Sequence, residues 1–145
     1  MAVGTGNALD NVLIGNAQDN VLSGLGGNNM MTGGFGNDTY TVAGAGDVVV
    51  EAAGGSIDTI ISSVNDTLAA SVENLILIGR ATNGSGNELA NILTGNTLNN
   101  RLDGAAGADA TAGDLGDDTY FVANAADQTV EYTGQGIDTV VVSVS

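Results

Sequence analysis

Cysteine, proline, histidine and tryptophan are absent from this chain of 145 residues, and lysine and arginine number 2 against 17 aspartates and glutamates. Each absence closes a class of chemistry. Without cysteine there is neither a disulfide framework nor a thiol nucleophile. Without histidine as well, zinc sites and nucleophilic triads have no members. A formal charge of −15 repels phosphate backbones, whose capture depends on cations that displace counterions, so nucleic acid is not an expected partner. No apolar run is long enough for a membrane span. Met1 to Gly6 has neither a basic nor an apolar signal region, so no cleaved leader is expected there. Aromatic residues make up only 3 % although hydrophobic residues make up 43 %, which suits many thin layers of Leu, Ile and Val better than one thick core. With 23 glycines and no proline, the turns belong to residues that reach positive φ.

What is present is periodic. Glycine recurs at Gly6, Gly15, Gly24 and Gly33, and a large apolar residue at Leu13, Leu22, Met31 and Tyr40, both with a spacing of nine. The sixth place of each unit holds Asn11, Asn20, Asn29 and Asp38. A helix would repeat its buried positions every three or four residues, and a hairpin sheet would show long alternating runs. A nine-residue unit instead gives a tight polar turn plus a strand of about three residues whose middle side chain points inward. Such a strand survives only by stacking on copies of itself.

The register holds through Asp47 and Val49 and then loosens. Residues 51–56 read as a longer turn, 57–64 as a β-rich run, Asn65-Asp66 as a turn, and 72–78 as a strand with Leu75 and Leu77 on one face. A longer period encloses the short one: residues 4–64 align without a gap on 84–144 at an offset of 80, with 29 of 61 positions identical, among them Tyr40/Tyr120, Glu51/Glu131 and Asp58/Asp138. The chain therefore divides into a first super-repeat, 1–82 (coils 4–50, looser segment 51–82), and a second, incomplete one, 83–145, in one continuous solenoid. Its last strand is expected to end in mid-pattern, leaving an open β edge for self-association.

Gly33-Gly34-Phe35-Gly36-Asn37-Asp38-Thr39-Tyr40-Thr41 fits Gly-Gly-x-Gly-x-Asp-x-(large apolar)-x at every defined place. In this, and in the segments Gly116 to Tyr120 and Val72 to Leu75, the chain resembles the repeats-in-toxin (RTX) family of long secreted bacterial proteins. The resemblance implies a right-handed parallel β-roll or β-solenoid, calcium (Ca2+) as cofactor, and export by type I secretion to an extracellular location. It also implies the ligand turns: Gly33, Gly34 and Gly36 with Asp38; Gly104 and Gly107 with Asp109; Gly113 and Gly116 with Asp118. Calcium takes six to eight oxygens, so one turn supplies about half a site and a stacked turn the rest. With successive units on alternate sheets, turns stacked on one edge are eighteen residues apart, which pairs the Gly33 turn with the Gly15 turn and the Gly104 turn with the Gly86 turn.

The sequence departs from the family at the ligand place, where Asn11, Asn20, Asn29, Asn91 and Asn100 replace aspartate. An amide offers one oxygen without the charge, so a full series of calcium sites is not expected, and the asparagine coils read as ladder turns that close without metal. In the second copy Ala105 and Asp114 stand where glycine belongs and Thr111 takes the inward place of Met31. Asp114 either enriches a cation site or strains its turn. Asp103, Asp109, Asp114, Asp117 and Asp118 form an acidic cluster that surface turns produce by default, and no enzyme is expected. Arg80 and Arg101 read as solvated charges. The sequence thus points to an extracellular, calcium-associated structural module of a secreted protein. The alternative is a self-assembling or surface-binding solenoid, for polysaccharide, ice or adhesion, whose asparagine coils need little calcium.

Overall fold

The computed structural model describes residues 1–54 and 56–144, and among them there are strands but no helix. The first half contains β1 (Ala2–Asn7), β2 (Val12–Ile14), β3 (Asn20–Leu25), β4 (Met30–Thr32), β5 (Thr39–Val42), β6 (Val48–Val50), β7 (Thr59–Ser62) and β8 (Asp66–Thr67). The second contains β9 (Asn74–Leu77), β10 (Asn83–Ser85), β11 (Ile92–Thr94), β12 (Arg101–Asp103), β13 (Ala110–Ala112), β14 (Thr119–Val122), β15 (Gln128–Val130) and β16 (Thr139–Val142). Odd-numbered strands from β1 to β15 form one eight-stranded parallel sheet. Even-numbered strands form the facing sheet, split into β2-β4-β6 and β8-β10-β12-β14-β16. The chain is an all-β parallel solenoid in which two nine-residue units close one coil, as Val21↔Thr39 and Leu93↔Thr111 illustrate.

The phase of the apolar residues becomes the core. Leu22, Tyr40, Ile60, Leu75, Leu93 and Thr111 follow one another along the inner surface of the eight-stranded sheet, and all six are buried. The buried Met31 lies between the half-buried Leu13 and Val49 across β2-β4-β6, and the buried Leu102 and Tyr120 follow one another across β12 and β14. Stacking side chains of one row removes each from water at about 25 cal/mol per Å² of apolar area, which is what a three-residue strand cannot achieve alone. Val12, Met30 and Ile92, phased outward, are exposed.

The loosened segment continues the roll with coils of altered length. One coil lengthens to twenty residues (Thr39↔Thr59) and the next shortens to fifteen (Thr59↔Asn74), after which Asn74↔Ile92 restores eighteen. Asp66, placed in a turn by sequence, instead opens β8 and pairs with Gly84 in the inward row. Gly84 has no side chain there, and its row position is crowded by Leu75, Leu77 and Leu102. Arg101 is likewise not a solvated lone charge: it bonds Asp103 at 3.2 Å, and its guanidinium lies 3.8 Å from the centre of the Phe121 ring on the next strand.

The 80-residue offset has a consequence for the two faces. β5 belongs to the eight-stranded sheet, whereas its counterpart β14 belongs to the other. The super-repeat spans nine half-coils, an odd number, so equivalent turns of the two copies lie on opposite edges of the roll.

Candidate metal centres at the roll edges

The turns are tied together by the sixth-place side chains. Asp38 Oδ1 accepts the backbone N–H of Asn20 (2.6 Å), Asp109 Oδ1 that of Asn91 (2.8 Å) and Asp118 Oδ1 that of Asn100 (2.7 Å). Each bond joins turns eighteen residues apart, as expected for the Gly33/Gly15 and Gly104/Gly86 pairs. Among the described residues the ladder of like amides is a single step, Asn29 Oδ1 accepting the N–H of Asn11 (3.0 Å), because the residue stacked on Asn20, Asn29, Asn91 and Asn100 is an aspartate. Instead, Asn20 Oδ1 accepts the N–H of Asn16 in its own turn (2.7 Å), and Asn100 Oδ1 that of Asn96 (2.7 Å). The Asn20 amide turns back to Asn16 Oδ1 (3.4 Å), whereas those of Asn91 and Asn100 reach carbonyls of the preceding coil, Asn91 to Val72 and Glu73 and Asn100 to Ala81. An amide donor thus occupies the place where a calcium turn would need a cation beside its carbonyls.

The aspartate turns lack that donor. Among the described residues, the buried side-chain oxygens without a hydrogen-bond partner are Oδ2 of Asp38, Asp66, Asp109 and Asp118. Three of these four are the sixth-place carboxylates, only 1 %, 2 % and 1 % exposed for Asp38, Asp109 and Asp118. The glycine that opens each unit makes this possible: a Cβ on Gly33, Gly104 or Gly113 would overlap the carboxylate of Asp38, Asp109 or Asp118. Gly34, Gly36, Gly107 and Gly116 all have positive φ, which shapes the same turns. Asp114 adopts φ +73° at the place of Gly34, and its Oδ1 accepts an N–H of Gln135 (3.2 Å). It strains the turn and is not gathered into the neighbouring carboxylate group.

The structure also brings to Asp38 and Asp118 residues to which the sequence assigned no role, Glu51 with Asp58 and Glu131 with Asp138. Asp38, Glu51 and Asp58 offer carboxylate oxygens that all lie within 4.8 Å of one another, and so do Asp118, Glu131 and Asp138. Asp58 stacks on Asp38, its Oδ1 accepting the Asp38 N–H (2.7 Å), and Asp138 stacks on Asp118 in the same way (2.9 Å). Glu51 and Glu131 come from the long turns and accept the hydroxyl protons of the buried Tyr40 and Tyr120. Among the described residues Asp109 joins no such trio. The stacked Asp127 spends its Oδ2 on the N–H groups of Ala123 and Asn124. The signal for the trios was the exact recurrence of Glu51 and Asp58 at an offset of 80.

Burial pushes the carboxyls of Asp38, Asp58, Asp118 and Glu131 above their ordinary range, with neighbouring carboxylates adding to the rise for Asp38, Asp118 and Glu131. Glu51 is raised to about 7, by burial first and then by the charges of Asp58 and Asp38. Asp47 shows the opposite balance: burial raises it, but N–H groups from Asn29, Gly44 and Ala43 together hold it below the usual value. Among the described residues the one ion pair is Arg101–Asp103, so no basic side chain neutralises either trio.

A pH dependence follows for the calcium-free protein. Folded Glu51 keeps its proton between the ordinary 4.5 and about 7, whereas the unfolded chain releases it, so folding takes up protons in that window. Stability is expected to be highest below that window and to fall as pH rises through it. Thermal melts in EGTA should show a falling midpoint, and calcium should suppress the fall because it binds the deprotonated form.

A parallel roll whose edges gather unneutralised, buried carboxylates belongs to the class of cation-binding repeat solenoids. A family model described as RTX calcium-binding nonapeptide repeat (4 copies) matches residues 5–40 and again 85–120, and the chain belongs to that repeat family, for which calcium is the ligand. No curated protein matches the chain.

Proposed function

We propose that the chain is an extracellular structural module of a secreted bacterial protein, a spacer or scaffold that completes its fold when calcium enters its edge turns. The observation that carries this reading is the set of orphaned, buried Oδ2 atoms on Asp38, Asp109 and Asp118, each cupped over a glycine. Such oxygens cost free energy until a cation coordinates them. The ligand turns are those of Gly33, Gly34, Gly36 and Asp38, of Gly104, Gly107 and Asp109, and of Gly113, Gly116 and Asp118. Export by type I secretion agrees with this chemistry, because a chain loose at low calcium and stabilised outside by RT ln(1 + [Ca]/Kd) folds only after leaving the cell. Calcium titration followed by circular dichroism, with EGTA reversal, tests the reading. The β signal and the melting midpoint are expected to rise together with calcium. A complete, calcium-indifferent β signal would overturn it.

A second reading is a self-assembling or surface-binding solenoid that needs little calcium. The amide donors of Asn91 and Asn100, which satisfy carbonyls without an ion, favour it. Light scattering in calcium and in EGTA separates the two, since a strict monomer under both conditions removes self-assembly.

A further inference from the structure

Resting on the calcium-binding reading above, we infer that the cation sites of highest affinity are the two trios, Asp38–Glu51–Asp58 and Asp118–Glu131–Asp138. Glu51 and Glu131 are then metal ligands supplied from outside the nonapeptide repeats. All four of Glu51, Asp58, Glu131 and Asp138 lie beyond the repeat segments at 5–40 and 85–120. An acidic cluster alone would be an ordinary acidic surface. Here a second observation points to a ligand: Asp38 is only 1 % exposed, and its Oδ2 has no partner. That oxygen and the Tyr40 hydroxyl converge over Gly33, and Glu51 is bonded to the same hydroxyl. Asp118, Tyr120, Gly113 and Glu131 repeat the arrangement on the other edge.

The chemistry selects a hard divalent cation of calcium's size. Three carboxylates with no basic partner call for more than a single positive charge. Oxygens spread over as much as 4.8 Å surround a cation at about the calcium–oxygen distance of 2.3–2.6 Å after a small inward movement. Magnesium needs about 2.0–2.1 Å in a near-ideal octahedron and gives up its waters reluctantly, so the open triangle disfavours it. The ion fastens the long turn that follows β6, or β15, onto the coil it leaves. Because equivalent turns alternate between edges, the roll carries one such fastening on each edge. Asp109, whose stacked partner Asp127 is already saturated by N–H groups, holds calcium weakly by comparison.

The test is calorimetric titration of the whole chain with calcium chloride, beside Glu51→Gln, Glu131→Gln, the double variant and Asp109→Asn. Glutamine keeps the size of the side chain and an oxygen for the tyrosine hydroxyl, so folding survives the change. Wild type is expected to bind two ions tightly. Each single glutamate variant should weaken one site by roughly tenfold or more, the double variant both, and Asp109→Asn neither. Terbium provides a readout that needs no ligand variant: its tyrosine-sensitised emission should be strong in wild type and largely lost in Tyr40→Phe/Tyr120→Phe. Tight binding unchanged in the double glutamate variant would overturn the inference while leaving calcium binding by the repeats intact. No calcium binding by wild type would overturn both.

Discussion

Replacing Asp38 and Asp118 together by asparagine is expected to make the calcium-free protein more stable and the calcium-loaded protein less stable, so that the order of the two melting midpoints inverts on adding calcium. Without the ion, each carboxylate is buried beside two others and has an oxygen that nothing satisfies. The asparagine side chain removes that repulsion. Its Oδ1 still accepts the N–H of Asn20 or Asn100, and its amide takes the place of the orphaned Oδ2 with protons to donate to the remaining carboxylates. The chain already uses this solution at Asn29, whose amide donates to Asp47 at 2.8 Å. With the ion, the balance reverses. A ligand that binds only the folded state at a thousand times its Kd adds about 4 kcal/mol, and the variant forfeits most of that at each trio. Melts of both proteins in EGTA and in millimolar calcium decide the matter. A variant less stable under both conditions would mean that these carboxylates serve the fold only as hydrogen-bond acceptors.

Much of this architecture is legible in the spacing of residues. Glycine every nine residues and Leu22, Met31 and Tyr40 in phase leave room only for a short strand and a tight turn, and the buried rows follow. The eighteen-residue pairing of turns is legible for the same reason, since two units close a coil. The segment after Val50 is not, because a long turn carries no punctuation to say that one coil takes twenty residues and the next fifteen. The inward Asp66 contradicts the turn reading of its dipeptide, and its pairing with the bare Gly84 explains how the row accepts it. Arg101 over Phe121 depends on which strands become neighbours, which no local pattern contains.

The same holds for the site. Asp38, Asp109 and Asp118 are marked by their place in the nine-residue unit, and all three prove to be buried. What separates Asp109 from the other two lies a coil away, in whether the stacked aspartate is saturated and whether a glutamate returns from the turn. Glu51 and Glu131 carried a visible signal, identity across 80 residues, but identity does not say what a residue touches. Their contacts with the tyrosine hydroxyls appear once the long turn is seen folding back over Tyr40 and Tyr120.

Gly95→Ala is expected to destabilise the protein by about 3 kcal/mol, the upper part of the usual range for overpacking, and to weaken calcium binding on its edge although residue 95 ligates nothing. A Cβ there would lie 2.5 Å from the carbonyl oxygen of Gly113 and would also overlap the side chain of Asn100. Neither Gly95 nor Asn100 is free to give way. Gly95 is held to the next coil by its N–H bond to Ala112 (2.7 Å), and Asn100 is pinned by its bonds to Asn96 and Ala81. The strain therefore passes to Gly113, the floor on which Asp118 rests and whose N–H donates to the Tyr120 hydroxyl (2.6 Å). Moving that floor displaces the aspartate and the tyrosine that positions Glu131, so the trio loses its geometry through a residue one coil away. Gly15 stands in the same relation to Gly33, also 2.5 Å from a would-be Cβ, and Gly15→Ala should reproduce the effect on the opposite edge. Gly54→Ala is the control, because its Cβ would meet only the Phe35 ring at 3.4 Å. A loss of about 3 kcal/mol corresponds to a midpoint lowered by roughly 10 °C in a domain of this size. A Gly95→Ala protein that melts with the Gly54→Ala control would show that the coils slide apart freely, and the corner glycines would then have to be explained by turn conformation rather than by the contact between coils.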